Sequence, residues 1–163
     1  MLVDPEKLAE PGSGKHYSLA FCVPSPDGKL VLYGVAASGS EQTVLHVLDV
    51  AAGKDLGDVI DRMEADYTPP MWLADGKSFV YSRRRKLADG APPTEVYKRT
   101  EARVHRLGED VERDPLVMAM GVSGGVPLAE ADFPSLAATP GSPFVILKIK
   151  HGDANELTLY AGR

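Results

Sequence analysis

The stretch Ser25-Pro26-Asp27-Gly28-Lys29, followed by Leu30-Val31-Leu32-Tyr33, returns twice along the chain. Its second copy is Leu73-Ala74-Asp75-Gly76-Lys77 with Ser78-Phe79-Val80-Tyr81, and its third is Thr139-Pro140-Gly141-Ser142-Pro143 with Phe144-Val145-Ile146-Leu147. Asp27 and Asp75 are 48 residues apart, and Asp75 and Pro140 are 65 apart. Each copy reads as a strand, a tight turn on an Asp-Gly or Pro-Gly pair, and a returning strand, because Gly takes the positive φ that hairpin turns need and Asp tolerates it. A hairpin repeated at this period is the signature of propeller blades.

Working outward, Tyr17 to Val23 forms a first strand, Leu30 to Ala36 returns antiparallel, and Gln42 to Asp49 follows after the Ser38-Gly39-Ser40 turn. Gly53 closes a turn into a fourth segment, Asp55 to Ile60, which completes one four-stranded blade. The second unit has Met71-Trp72-Leu73, Phe79-Val80-Tyr81, Arg103 to Leu107 and Leu116 to Met120, with a long loop from Arg83 to Thr94. The third has Ser135 to Ala138, Phe144 to Ile149 and Glu156 to Tyr160, and its fourth strand is missing. The fold class expected is all-β: about three consecutive four-stranded antiparallel blades, at residues 15–65, 66–125 and 126–163. Residues 1–14 read as a connector that carries, in Leu2-Val3, the last strand of a preceding blade. The one helical candidate is a single turn at Val59-Ile60-Asp61-Arg62-Met63, limited by Pro69 and Pro70.

The 163 residues suit one domain, and 44% hydrophobic with 25% charged residues is a globular balance. A formal net charge of −5 gives no general attraction for nucleic acid or an anionic membrane. No apolar run approaches the roughly 18 residues of a membrane span, and the start lacks a signal peptide's basic and apolar regions, so a cytoplasmic protein is expected. Cys22 has no partner for an internal disulfide, and its apolar surroundings predict an inert core thiol. Trp72 is expected in the blade core.

The segments Leu2-Val3-Asp4-Pro5, Tyr33-Gly34-Val35-Ala36-Ala37-Ser38-Gly39-Ser40, Trp72 to Tyr81 and Val104-His105-Arg106-Leu107-Gly108 together resemble the N-terminal β-propeller domain of the prolyl oligopeptidase family. These are serine peptidases that cleave short proline-containing peptides. The resemblance implies a seven-bladed parent propeller of which this chain is an internal piece. It also implies a parent whose partners are an attached α/β-hydrolase domain, which holds the catalytic triad, and small peptides. No catalytic residue carries over.

Gly121-Val122-Ser123-Gly124-Gly125 matches the G-x-S-x-G pattern of hydrolase nucleophiles, and Asp132 and His151 follow in hydrolase order. A nucleophile elbow needs a helix directly after the serine, and Val126-Pro127 and Phe133-Pro134 oppose one, so Ser123, Asp132 and His151 read as a decoy in a loop between blades. Arg83-Arg84-Arg85-Lys86 reads as a solvated loop tip, with a polyanion patch as the weaker reading and edge protection as its cheapest role. Asp61 with Glu64 and Asp110 with Glu112 read as solvated turn charges. His16, His46, His105 and His151 stand singly, so no metal is expected, and no glycine loop supports a nucleotide cofactor.

The function expected is therefore a non-catalytic piece of a substrate-gating propeller. Its alternatives are a small serine hydrolase using Ser123 and His151, or a stand-alone interaction module. Copies are expected to self-associate through exposed blade edges, either by the N-terminal strand of one completing the last blade of another or by bare edges pairing directly.

Overall fold

Antiparallel ladders account for nearly all regular structure in the computed structural model, which describes residues 2–8, 13–37, 40, 42–138, 142 and 144–162. Strands β1 (Tyr17–Pro24), β2 (Leu30–Ala37), β3 (Thr43–Asp49) and β4 (Lys54–Met63) meander into a first sheet. β5 (Met71–Trp72), β6 (Ser78–Arg83), β7 (Glu101–Arg106) and β8 (Leu116–Met118) form a second, joined to the first by one pairing, Met63 with Arg83. β9 (Asp132–Ala138), β10 (Val145–His151) and β11 (Leu157–Gly162) form a third. The fold is all-β, a run of propeller blades, as the repeats indicate. Among the described residues helix is confined to short 3-10 turns, and none is long and apolar enough to cross a membrane.

The first two copies of the repeat close their turns alike. Asp27 Oδ1 accepts from the Lys29 N–H at 3.1 Å, and Asp75 Oδ1 accepts from the Lys77 and Ser78 N–H groups at 2.9 Å. Gly28 and Gly76 take φ of 72° and 61°, the left-handed region that the turn demands. Of the third copy's turn, only Ser142 is among the described residues.

Strand alternation sorts the apolar residues to two faces. Leu32, Leu45, Val47, Ile60 and Met63 of the first sheet meet Trp72, Phe79 and Tyr81 of the second, and the Trp72 indole N–H reaches the Val23 carbonyl at 3.1 Å. Val31, Tyr33, Val35 and Leu48 cover the other face, which explains why β2 is apolar without interruption. Ala102 and Met118 meet Leu147 and Ile149 between the second and third sheets.

Three expectations are corrected. Val59 to Met63 is strand, not a helical turn. Ile60 and Met63 both point inward because Arg62 takes φ of 56° and three residues of β4 span two of β3, and that bulge imitates helical spacing. Leu2 and Val3 pair with no strand among the described residues; Val3 packs on the Val31 and Tyr33 cluster, and a 3-10 turn over Pro5–Leu8 follows directly. Cys22 is exposed, since β1 is an end strand whose inward positions go to Phe21 and Val23. Arg83 and Arg84 are buried rather than at a loop tip, because β6 continues through Arg83 and acids from the first sheet meet both.

Candidate functional site

The densest polar construction lies where β4 and β6 leave their sheets together. The Arg84 N–H donates to the Arg62 carbonyl at 2.8 Å, and the Glu64 N–H donates to the Ser82 carbonyl at 2.9 Å, so the two strand exits are clamped side by side. Glu64, fully buried, receives Arg84 Nε and Nη2 on one carboxylate oxygen at 2.8 Å each. Its other oxygen accepts the Asp66 and Tyr67 N–H groups at 3.0 and 3.1 Å. A buried charge pair is tolerable when further hydrogen bonds satisfy its remaining lone pairs, and here both Glu64 oxygens accept two each. Arg84 also reaches Asp66 at 2.8 Å and lies over the Tyr97 ring at 4.9 Å. Neighbouring Arg83 ion-pairs with Asp61 and, at 2.7 Å, with Glu112.

Burial opposes ionisation of Asp61, but hydrogen bonds from Arg62 and Arg83 outweigh it and hold its carboxyl below the usual range. The hydrogen bond from Arg83, with its charge, does the same for Glu112. Of the four acids expected as solvated turn charges, Glu64 alone is buried; Asp61, Asp110 and Glu112 are exposed, and Asp61 and Glu112 are in addition paired with Arg83. Arg85 has a loose contact with Glu95 at 3.7 Å, and Lys86 alone of the run is exposed.

Arg84 forms the wall between two clefts. One, about 520 Å³, is lined by Asp66, Tyr67, Tyr97, Lys98 and Phe133 as well as Arg84. The other, about 450 Å³, takes in Asp61, Arg62, Arg85, Lys86 and Glu112. In the first, Tyr67 packs on Phe133 at 5.3 Å between ring centres and carries the Lys150 ammonium over its face at 4.9 Å. Partly exposed rings beside positioned charges suit the holding of a peptide segment: apolar side chains against the rings, backbone and charges against the rim.

Of the triad-like residues, two meet. His151 Nδ1 contacts Asp132 Oδ1 at 2.9 Å, while His151 Nε2 meets Thr158 Oγ1 at 2.7 Å and Asp132 Oδ2 accepts from the Ala129 N–H at 2.8 Å. The pair closes the end of the third sheet, where Asp132 and His151 face each other across the ladder. Ser123 is not brought to them: its hydroxyl donates to the Val126 carbonyl, and Gly124 and Gly125 at φ of 60° and 88° turn the chain where an elbow would start its helix.

Sequence reasoning missed a second buried construction. His105, wholly enclosed, meets Asp58 Oδ1 through Nε2 and Asp114 Oδ1 through Nδ1, both at 2.9 Å, and the Tyr81 hydroxyl donates to Asp114 Oδ2 at 2.7 Å. Burial, and then the Asp114 carboxylate, push the Tyr81 phenol upward and keep it a donor. Asp58 lies 47 residues before His105, so no local spacing announces the trio. His46 stacks on Tyr33 at 5.3 Å, and burial lowers its basicity despite the Asp55 charge. Among the described residues no group of three or more His, Cys, Asp or Glu is placed to hold a metal ion.

Residues 1–121 match the family model described as prolyl oligopeptidase, N-terminal beta-propeller domain. The prolyl oligopeptidase ophP of Omphalotus olearius is 29% identical over 126 residues, which cover 72% of this chain and 16% of that protein. Among solved structures, a prolyl endopeptidase from a pair compared for inter-domain dynamics in catalysis and specificity is 23% identical with a TM-score of 0.76, over all of this chain and 20% of the other. Prolyl oligopeptidase B of Galerina marginata, bound to a 35mer hydrolysis and macrocyclization substrate, is 19% identical with a TM-score of 0.77, over 97% of this chain and 22% of the other. At these identities the solved structures bear on the fold, and this chain spans between 16 and 22% of the length of these relatives.

Proposed function

This chain belongs to the family of prolyl oligopeptidase N-terminal β-propeller domains, and from that membership we propose that it is a non-catalytic piece of the substrate-gating propeller of a prolyl oligopeptidase-like serine peptidase. The parent activity is hydrolysis of short proline-containing peptides, and the parent's partners are its α/β-hydrolase domain and those peptides. The observation that carries the reading is the family match over residues 1–121. The tyrosine-lined cleft beside Arg84 supports it, since it offers a peptide both rings and charges. In this reading the blades are residues 15–65, 66–125 and 126–163, the protein works in the cytoplasm, and exposed blade edges let copies of the chain associate.

The test is an assay of the purified chain with a fluorogenic Gly-Pro amide, alongside labelling by an organophosphonate probe. Wild type and Ser123→Ala are expected to give the same blank rate and no label. Turnover or labelling that disappears in Ser123→Ala would overturn the reading in favour of a small serine hydrolase. That alternative draws its one support from the Asp132 and His151 contact.

A further inference from the structure

His105 stands where the first two sheets meet, with an acid on each side of its ring. Asp58 Oδ1, from β4 of the first sheet, lies 2.9 Å from Nε2. Asp114 Oδ1 and Oδ2, from the turn before β8 of the second sheet, lie 2.9 and 3.0 Å from Nδ1. All three side chains are buried. A neutral imidazole has one N–H and one bare nitrogen, so it donates to one of these acids only. Its bare nitrogen would then face a carboxyl oxygen that must itself bring the hydrogen.

The oxygens on both sides are already acceptors. Asp58 Oδ1, the atom that faces Nε2, also accepts the Gly108 N–H. Asp114 Oδ2 accepts the Tyr81 hydroxyl at 2.7 Å, and burial with the Asp114 charge keeps that phenol protonated. Hydrogen bonds donated to a carboxylate favour its charged form. Neither acid is therefore the place for the missing hydrogen, which leaves the ring.

We propose that His105 is an imidazolium that donates through both nitrogens, and that this buried cation pins the first sheet to the second. Two carboxylates and one imidazolium leave one net negative charge, and the Gly108 N–H and Tyr81 O–H are the donors that meet it. The remaining neighbours bring no competing base. Phe79 of β6 packs on the ring at 5.3 Å between ring centres, and Arg103 of β7 is turned to the Asp114 carbonyl and to Glu101. Arg83 is taken up by Asp61 and Glu112.

The position gives the pin its purpose. β4 and β6 share one ladder pair, Met63 with Arg83, and Asp58 lies five residues before Met63, about 16 Å along the strand. Arg83 and Arg84 fasten the Met63 end through Asp61 and Glu64. His105 fastens the other. Removing either ring proton would set a lone pair against a carboxylate oxygen at 2.9 Å, so the pin holds only while the ring carries both.

Nitrogen-15 NMR of the histidine rings in the labelled whole chain at neutral pH tests this, with His105 assigned by its proximity to the Phe79 and Tyr81 rings. Two ring N–H signals, both slow to exchange with solvent, are expected. One ring N–H beside a bare ring nitrogen overturns the proposal. Asp58→Asn removes one of the two acids and is expected to leave the Nδ1–H signal alone, and a folded variant that keeps both signals overturns the part given to Asp58. The wild-type spectrum decides the ring's state whether or not that variant folds. Adding base until one signal disappears should shift the Gly108 amide and the Tyr81 ring in step, and a loss that moves neither overturns the pin.

Discussion

Arg84 and Glu64 carry opposite charges with side chains 2% and 0% exposed, and each depends on the other for being there at all. Removing one partner leaves a desolvated charge uncompensated, whereas removing both leaves only a packing defect. Glu64→Gln is therefore expected to destabilise the fold by about 3–5 kcal/mol in denaturant unfolding. Pairing Glu64→Gln with Arg84→Met should recover part of that loss, and a double variant no more stable than the single would show that the pair is not buried as described. The Tyr81 hydroxyl is a milder case. Tyr81→Phe leaves Asp114 short of one donor inside the His105 trio, for an expected loss of about 1–3 kcal/mol. None of these partnerships was legible in the sequence: Arg84 sits among four consecutive basic residues, and its acid partner lies 20 positions upstream. A charge run states composition, and only the clamping of β4 against β6 turns half of it inward.

At the scale of elements, the turns were legible and the bulges were not. Asp-Gly pairs fix their own geometry through contacts two or three residues long, so the first two repeats read correctly from sequence. A bulge is a property of two strands at once. That at Arg62 made an inward pair three residues apart look helical, and that between Leu19 and Phe21 sets the Phe21 ring over Gly34. A Cβ on Gly34 would stand 2.3 Å from Phe21 Cε1 and 2.7 Å from Thr43 Cγ2. Gly34→Ala is accordingly expected to cost about 1–3 kcal/mol through overpacking, while Gly34→Ala with Phe21→Leu should cost less. Acid weakens the same elements in a definite order. Burial holds His46 on β3 below the ordinary histidine value, so its contribution is complete above about pH 6.5 and is lost as pH falls through its folded value. Asp61 is depressed by Arg62 and Arg83 and Glu112 by Arg83, so theirs is lost later, as pH falls through the low carboxylate range. Melting temperature should fall in two stages on acidification, and His46→Gln should remove the first. An unchanged first stage in that variant would reassign it.

Across the whole molecule the architecture is one of unequal joints. The first and second sheets share eight buried apolar residues, including Trp72, Phe79 and Tyr81, and are cross-braced by the His105 trio and by the pairs of Arg83 with Asp61 and Arg84 with Glu64. The second and third share four, of which one is an alanine, with the Ser82 hydrogen bond to Pro134 as their buried polar link. At about 25 cal/mol for each Å² of apolar surface withdrawn from water, the first joint is much the stronger. Local opening follows such differences, since a unit with few buried contacts opens below the free energy of global unfolding. Amide exchange should therefore proceed faster in β10 and β11 than in β2, β3 and β6. Trp72, the sole tryptophan, lies in the strong joint and should report only the later, global transition by fluorescence. Uniform protection across the three sheets at high dilution would mean that the weaker joint is as tightly coupled as the stronger one.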